Sequence, residues 1–229
     1  MSRTLILADA ASLDDLTVYL ARAARIEEGS VRLIAGSGVL AVYVAVFYPV
    51  GLLDESPTVL GLRTLALGAP AELDVVVPIR SLQQRLERAA ESLASRPEAE
   101  RDAPVELALP MEVNTVTWAA ISPPRGGWRA FDPVPAEPFE RVAREGIGEV
   151  AAALPDGAGE QIVRRVRGEI WGRGVPEAEH IPAGAAFAAL SLGFLGEDEV
   201  RVYETGPWTR LTTRRGHVLV RRRSWTLAR

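Results

Sequence analysis

Cysteine and lysine are absent from the 229 residues. Without cysteine there is no disulfide framework, no thiolate nucleophile and no Cys-ligated zinc or iron–sulfur site. Histidine is nearly absent too, with only His180 and His217, which is thin for a histidine-built metal centre. No metal and no cofactor is therefore expected. Long hydrophobic runs are also missing. The longest, Val39 to Leu53, is shorter than the roughly 18 apolar residues of a spanning helix and is interrupted by Pro49 and Gly51. The apolar run near Met1 is too short for the core of a signal peptide. No membrane association is expected, and a cytoplasmic location follows by elimination.

The missing lysine has a compositional explanation, because all 26 basic residues are arginine and alanine is abundant, as GC-rich codons dictate. A single arginine is then weak evidence for bidentate phosphate recognition, since no lysine was ever the alternative. The placement of charge says more than its type. Residues 200–229 hold eight arginines and one acidic residue, against eighteen arginines and twenty-nine acidic residues elsewhere. A basic end on an acidic body can dock on that body or meet an anionic partner.

With 48% hydrophobic and 24% charged residues, the balance is that of a globular protein. The length suits one large core or two small ones. The best boundary is Arg96 to Pro104, charged, without large apolar residues and with a proline near each end. It divides the chain into 1–104 and 105–229; the alternative is a single domain over 1–229 in which this segment is a surface loop.

Periodicity predicts an α+β fold, with antiparallel sheet packed by about five helices. A strand over Arg3 to Ala8 leads into a helix from about Leu13 to Ile26, with Ser12 and Asp15 at near capping-box spacing. Val31 to Ala35 and Val39 to Tyr48 read as a hairpin around Gly36-Ser37-Gly38, because a strand rather than a helix follows the glycines and the phosphate-loop reading fails. Strands over Thr58 to Leu67 and Glu72 to Ile79 precede an amphipathic helix starting at Ser81, with Gln84 in the capping position. Val105 to Leu109 and Val113 to Ile121 look like strands, and Trp118 is expected to fill the core. After a proline- and glycine-rich loop come three helices, with Pro138 at the start of the first and Gly172 ending the second. The third, Ala185 to Leu195, is apolar nearly all round and rich in Ala and Gly, which makes it a buried helix or a subunit contact and leaves a homo-oligomer open. Strands over Val200 to Glu204, Trp208 to Thr213 and His217 to Arg222 close the chain.

Three constellations could carry chemistry. Glu177, Glu179 and His180 form the only compact group of carboxylates and imidazole, suited to acid–base work on a small anionic substrate if the histidine is held in one tautomer. Its plainer reading is a helix-entry segment with solvated charges. Arg125, Trp128 and Arg129 in one turn-rich loop, with Trp208 and Arg210 after Gly206-Pro207 in another, offer indole surfaces for stacking and guanidinium groups for anions. The plainer reading has both tryptophans covering the core edge. Arg214, Arg215, Arg221, Arg223 and Trp225 form the densest basic cluster, a candidate nucleic-acid surface. Alternation along a strand puts Arg221 and Arg223 on the side of Leu219 and Arg222 on the side of Val218 and Val220. That division, with the acidic net charge, argues against nucleic acid as a partner.

The stretch Ser-Arg-Thr-Leu-Ile-Leu-Ala-Asp-Ala-Ala-Ser-Leu-Asp-Asp-Leu near the N-terminus and the strand Val-Leu-Ala-Val-Tyr-Val-Ala-Val resemble a family of actinobacterial proteins of unknown function. The resemblance implies neither a catalytic motif nor any functional residue. No nucleophile elbow and no phosphate-binding loop occurs in the chain. The reading favoured by the sequence is a non-catalytic binding or regulatory protein that recognises a small anionic ligand or a protein partner through the aromatic–arginine loops. Two alternatives stand beside it, an enzyme acting on a small anionic substrate and nucleic-acid binding through the C-terminal arginines.

Overall fold

A computed structural model describes residues 3–50, 54, 56–98, 103–114, 116–155, 157–176 and 178–222. It has the α+β architecture expected, with five α-helices and extensive antiparallel sheet among the described residues. The chain forms two compact units, one of residues 1–44 and 62–121, the other of residues 45–61 and 122–229.

In the first unit, strand β1 (Thr4–Leu7) enters helix α1 (Ala10–Ile26), and β2 (Ser30–Gly36) and β3 (Val39–Phe47) form the hairpin read from the sequence. Ser37 and Gly38 both have positive φ, 52° and 77°, the backbone that a two-residue turn needs to match strand twist. Buried and half-exposed residues alternate along β2 and along most of β3, so one face of each strand enters the core. Strands β4 (Thr58–Ala66) and β5 (Leu73–Pro78) follow, then helix α2 (Ile79–Ala94) and β6 (Val105–Ala108). The sheet order here is β5-β2-β3-β4, while β1 and β6 pair separately. Leu13, Leu16 and Leu20 recur on one side of α1, and Ile79, Leu82 and Leu86 on one side of α2, all at most 3% exposed. Each such burial is worth about 1.5–3 kcal/mol.

Three local expectations need correction in this unit. Helix α1 is capped by Asp9, whose carboxylate accepts from both the backbone N–H and the hydroxyl of Ser12, each at 2.7 Å. Ser12 therefore lies inside the helix rather than before it. Helix α2 begins at Ile79 with Pro78 as its cap and no side-chain capping bond; a proline just before a helix has no N–H to satisfy. Val113 to Ile121 is not a strand, because Thr117–Ala120 is a short 3-10 helix that turns Trp118 inward to 4% exposure.

The second unit contains the other ends of β3 and β4, then the short β7 (Arg129–Ala130), α3 (Ala136–Ala153), α4 (Glu160–Trp171), a β8–β9 pair (Gly174–Val175 and Ala178–Pro182), α5 (Ala183–Ser191), and β10 (Arg201–Thr205), β11 (Trp208–Thr213) and β12 (Gly216–Arg221). Its sheet order is β4-β12-β11-β10-β7. Gly172 ends α4 as expected. Helix α3 starts at Ala136, so Pro138 is its third residue, where a missing N–H is equally harmless. Helix α5 is the buried one: Ala183, Ala185, Ala186, Ala188 and Ala189 are at most 4% exposed. Trp171, 2% exposed, stacks on Phe187 of α5 at 4.5 Å between centroids. A Cβ on Gly146 would collide with the Trp171 ring, so the glycine in α3 makes room for the indole. Among the described residues no helix is long and apolar enough to cross a membrane.

Candidate nucleic-acid interface

The hairpin β10–β11 turns through Gly206-Pro207, and this two-residue connection fixes its register, with Thr205 opposite Trp208 and Tyr203 opposite Arg210. Strand β12 continues the rows, placing Leu219 beside Arg210, Arg221 beside Trp208 and His217 beside Thr212. Because side chains alternate, Arg201, Tyr203, Thr205, Trp208, Arg210, Thr212, His217, Leu219 and Arg221 share one face of the three strands. The opposite face carries the buried Val202, Thr209, Leu211, Val218 and Val220. None of the nine residues on the first face is acidic.

Arg210 occupies the middle of that face. Its guanidinium carbon lies 4.5 Å from the ring centroid of Tyr203 and 4.5 Å from that of Trp128. Trp128 comes from the loop before β7, where its indole N–H donates to the Pro124 carbonyl at 3.1 Å. The two aromatic–arginine loops read from the sequence thus meet in one stack. Burial pulls the Arg210 guanidinium below the usual arginine value, opposed by the neighbouring Tyr203. Its Nε is buried without a hydrogen-bond partner among the described residues. The π faces on either side take the place of hydrogen bonds in stabilising the cation. Trp208, 5% exposed, sits in the adjacent row. Arg129 lies over the Phe131 ring at 4.4 Å, and Arg125 is exposed in the loop.

The C-terminal cluster disperses. Arg214 pairs with Asp198 at 3.4 Å, and Arg215 donates to the Leu195 carbonyl at 3.1 Å. Arg222 lies on the side opposite Arg221, near Glu204 at 3.5 Å. Arg221 and Arg222 therefore leave opposite sides, as strand alternation requires. The register also adds Arg201 and Arg210 to the side of Arg221, a grouping the sequence analysis did not make. Arg201 and Arg221 are exposed and have no ion pair with any described residue. Arg223 and Trp225 lie outside the described residues.

The carboxylate–imidazole group is rearranged. Glu177 lies outside the described residues, and Glu179 and His180 are consecutive in β9 rather than in a loop, so their side chains leave opposite faces. His180 Nε2 instead lies 3.5 Å from Glu204, whose carboxylate also accepts from the buried Thr209 hydroxyl at 3.3 Å. Glu204 was missed because its role depends on β9 reaching β10. Tyr203 was missed as well, although the Gly206-Pro207 hairpin would have placed it opposite Arg210. Among the described residues no three His, Asp or Glu side chains come together to hold a metal ion.

Comparison with known proteins bears on both ends of the chain. Two family models each match a part of the chain. Residues 1–107 match the model described as Domain of unknown function (DUF8010), and residues 123–225 match Domain of unknown function (DUF8185). No curated protein matches the sequence. Among solved structures, the chain is similar to Caulobacter crescentus pol III beta at 11% identity and a TM-score of 0.49, covering 96% of this chain and 65% of that one. The DNA polymerase III subunit beta from Pseudomonas aeruginosa follows at 14% identity and 0.48, covering 97% and 64%. The DNA polymerase III beta chain from Streptococcus pneumoniae matches at 12% identity and 0.47, covering 96% and 64%. The chain thus spans less than two thirds of the length of these sliding-clamp chains.

The reading of a small-anion-binding protein is corrected at this point. The arginine that was to grip the anion is already enclosed by Trp128 and Tyr203.

Proposed function

We propose that the chain is a non-catalytic nucleic-acid-binding protein that receives a single strand on the β10–β12 face. The observation that carries this reading is the composition of the face. Arg201, Arg210 and Arg221 stand there with Trp128 and Tyr203, and none of the nine residues on that face is acidic. Aromatic rings stack on bases of any identity, and unpaired guanidinium groups meet phosphates, so such a face favours a strand over a sequence. Arg210 presets the rings by holding Trp128 and Tyr203 on either side of itself, which lowers the ordering cost of binding. The exposed Arg201 and Arg221 supply the phosphate contacts. Acidity elsewhere in the chain orients the strand toward this face by repelling it from the rest.

The test is anisotropy of fluorescein-labelled oligo(dT), about twenty nucleotides long to exceed the site size of one small module, titrated with the full chain across a salt series. Binding is expected to weaken with salt along a slope of roughly −1.4 on logarithmic axes, as about two phosphate contacts on a single strand require. Trp128→Ala should lower affinity about tenfold without altering that slope. Replacing Arg201 and Arg221 together by Ala should flatten it. Absence of binding at low salt, or a slope unchanged in the double variant, would overturn the reading.

A further inference from the structure

Beyond the sheet face of the second unit, the first unit carries a groove of about 580 Å³ lined by Arg3, Val75, Arg85, Leu109, Pro110, Met111 and Glu112. The size is that of a ligand cleft. Its rim is held by the backbone rather than left loose. The N–H of Leu109 donates to the Arg3 carbonyl and that of Val113 to the Val76 carbonyl, each at 2.8 Å. Between these two anchors the chain arches through Pro110, whose φ is fixed by its ring. Met111 stands at the crest, 89% exposed, while Leu109 beside it is 4% exposed and Val75 2% exposed. A methionine held outward between pinned neighbours cannot retreat into the core, and its flexible thioether adapts to varied apolar partners.

The charges in the groove are unequal. Arg3 is paired with Glu112, whereas Arg85, from α2, has no ion pair with a described residue and faces the groove as a single uncompensated cation. We propose that this groove docks an extended peptide segment of a partner protein, one that places an apolar side chain against Met111 and Leu109 and a carboxylate against Arg85. One free positive charge beside an apolar floor selects an acidic–apolar peptide. It disfavours a basic one, which would meet Arg85 as a like charge.

The experiment is selection of phage-displayed random dodecapeptides on the full chain, followed by titration of the consensus peptide in synthetic form. Enrichment of sequences that pair a large apolar residue with Asp or Glu is expected. Met111→Ser and Arg85→Glu should each weaken that peptide about tenfold, with melting temperatures unchanged because both positions are at the surface. A second peptide with Lys in place of the carboxylate should regain affinity for Arg85→Glu while binding the parent poorly. Selection without an apolar–acidic consensus, or a consensus peptide that binds both variants as it binds the parent, would overturn the proposal.

Discussion

In the first unit Arg32 sends Nε and Nη2 to the two carboxylate oxygens of Asp74, at 2.8 and 2.7 Å, and Nη1 to the Ala119 carbonyl at 2.7 Å. In the second unit Arg201 and Arg221 lie on the sheet with no carboxylate on their face, and Arg210 is held by rings. Both arrangements satisfy a guanidinium, but by different means. A bidentate carboxylate uses its donors and leaves little for a partner. Ring stacking covers the faces of the cation, and unpaired neighbours keep their donors toward solvent. The same residue type, chosen everywhere by composition, thus serves packing at Arg32 and presents a surface at Arg201 and Arg221.

The largest effect that would sharpen this comparison lies in the core of the second unit. Trp171→Ala removes a side chain 2% exposed and stacked on Phe187, and should cost about 3–5 kcal/mol in urea unfolding. Gly146→Ala attacks the same contact from the other side by overpacking, and a smaller loss of about 1–3 kcal/mol is expected. An unchanged urea midpoint in both variants would contradict the α3–α4–α5 packing described above.

Smaller effects separate the two uses of arginine. Arg32→Ala strands the Asp74 carboxylate and the Ala119 carbonyl, and should lower stability by about 1 kcal/mol, because Asp74 is half exposed and solvent repairs part of the loss. Arg221→Ala removes no carboxylate partner and should change stability by less than about 0.5 kcal/mol while weakening oligo(dT). If the two variants melted alike and bound alike, the distinction between the units would fail.

Much of the fold was legible in the sequence, and the reasons are local. The β2–β3 hairpin follows from alternating β-branched residues around Ser37-Gly38, and α5 is marked by an unbroken small-residue segment that only a core can hold. Where the reading failed, a nearby residue competed for the same role. Asp9 displaced Ser12 as the cap of α1, and the segment before Ile121 gave up strand geometry to bury Trp118. The candidate site was legible as residue types but not as a surface. Trp128 and Arg210 were both singled out, yet their union requires β7 beside β10, a pairing between segments about seventy residues apart in sequence that no local pattern specifies.

The smallest expected effect concerns acid. Helix α1 of the first unit is capped by a titratable group, since Asp9 accepts two hydrogen bonds from Ser12 that hold its carboxyl below the ordinary aspartate value. In the second unit the corresponding positions are Pro135, Gly159 and Pro182, none with a side-chain capping bond. A carboxyl whose folded pKa is depressed contributes stability that is fully present above its unfolded pKa and is lost as pH falls through the folded value. Acid should therefore loosen α1 below about pH 4, before it touches the caps of α3, α4 and α5. Asparagine caps a helix about as well as aspartate but does not titrate. Asp9→Asn should then match the parent near neutral pH and lose less of the α1 protection as pH falls. Hydrogen exchange read at Leu13 and Leu16 against Val142 and Ala143, on either side of pH 4, makes the comparison within one molecule. Equal acid sensitivity of α1 in the parent and in Asp9→Asn would remove the carboxylate cap from the account of this helix.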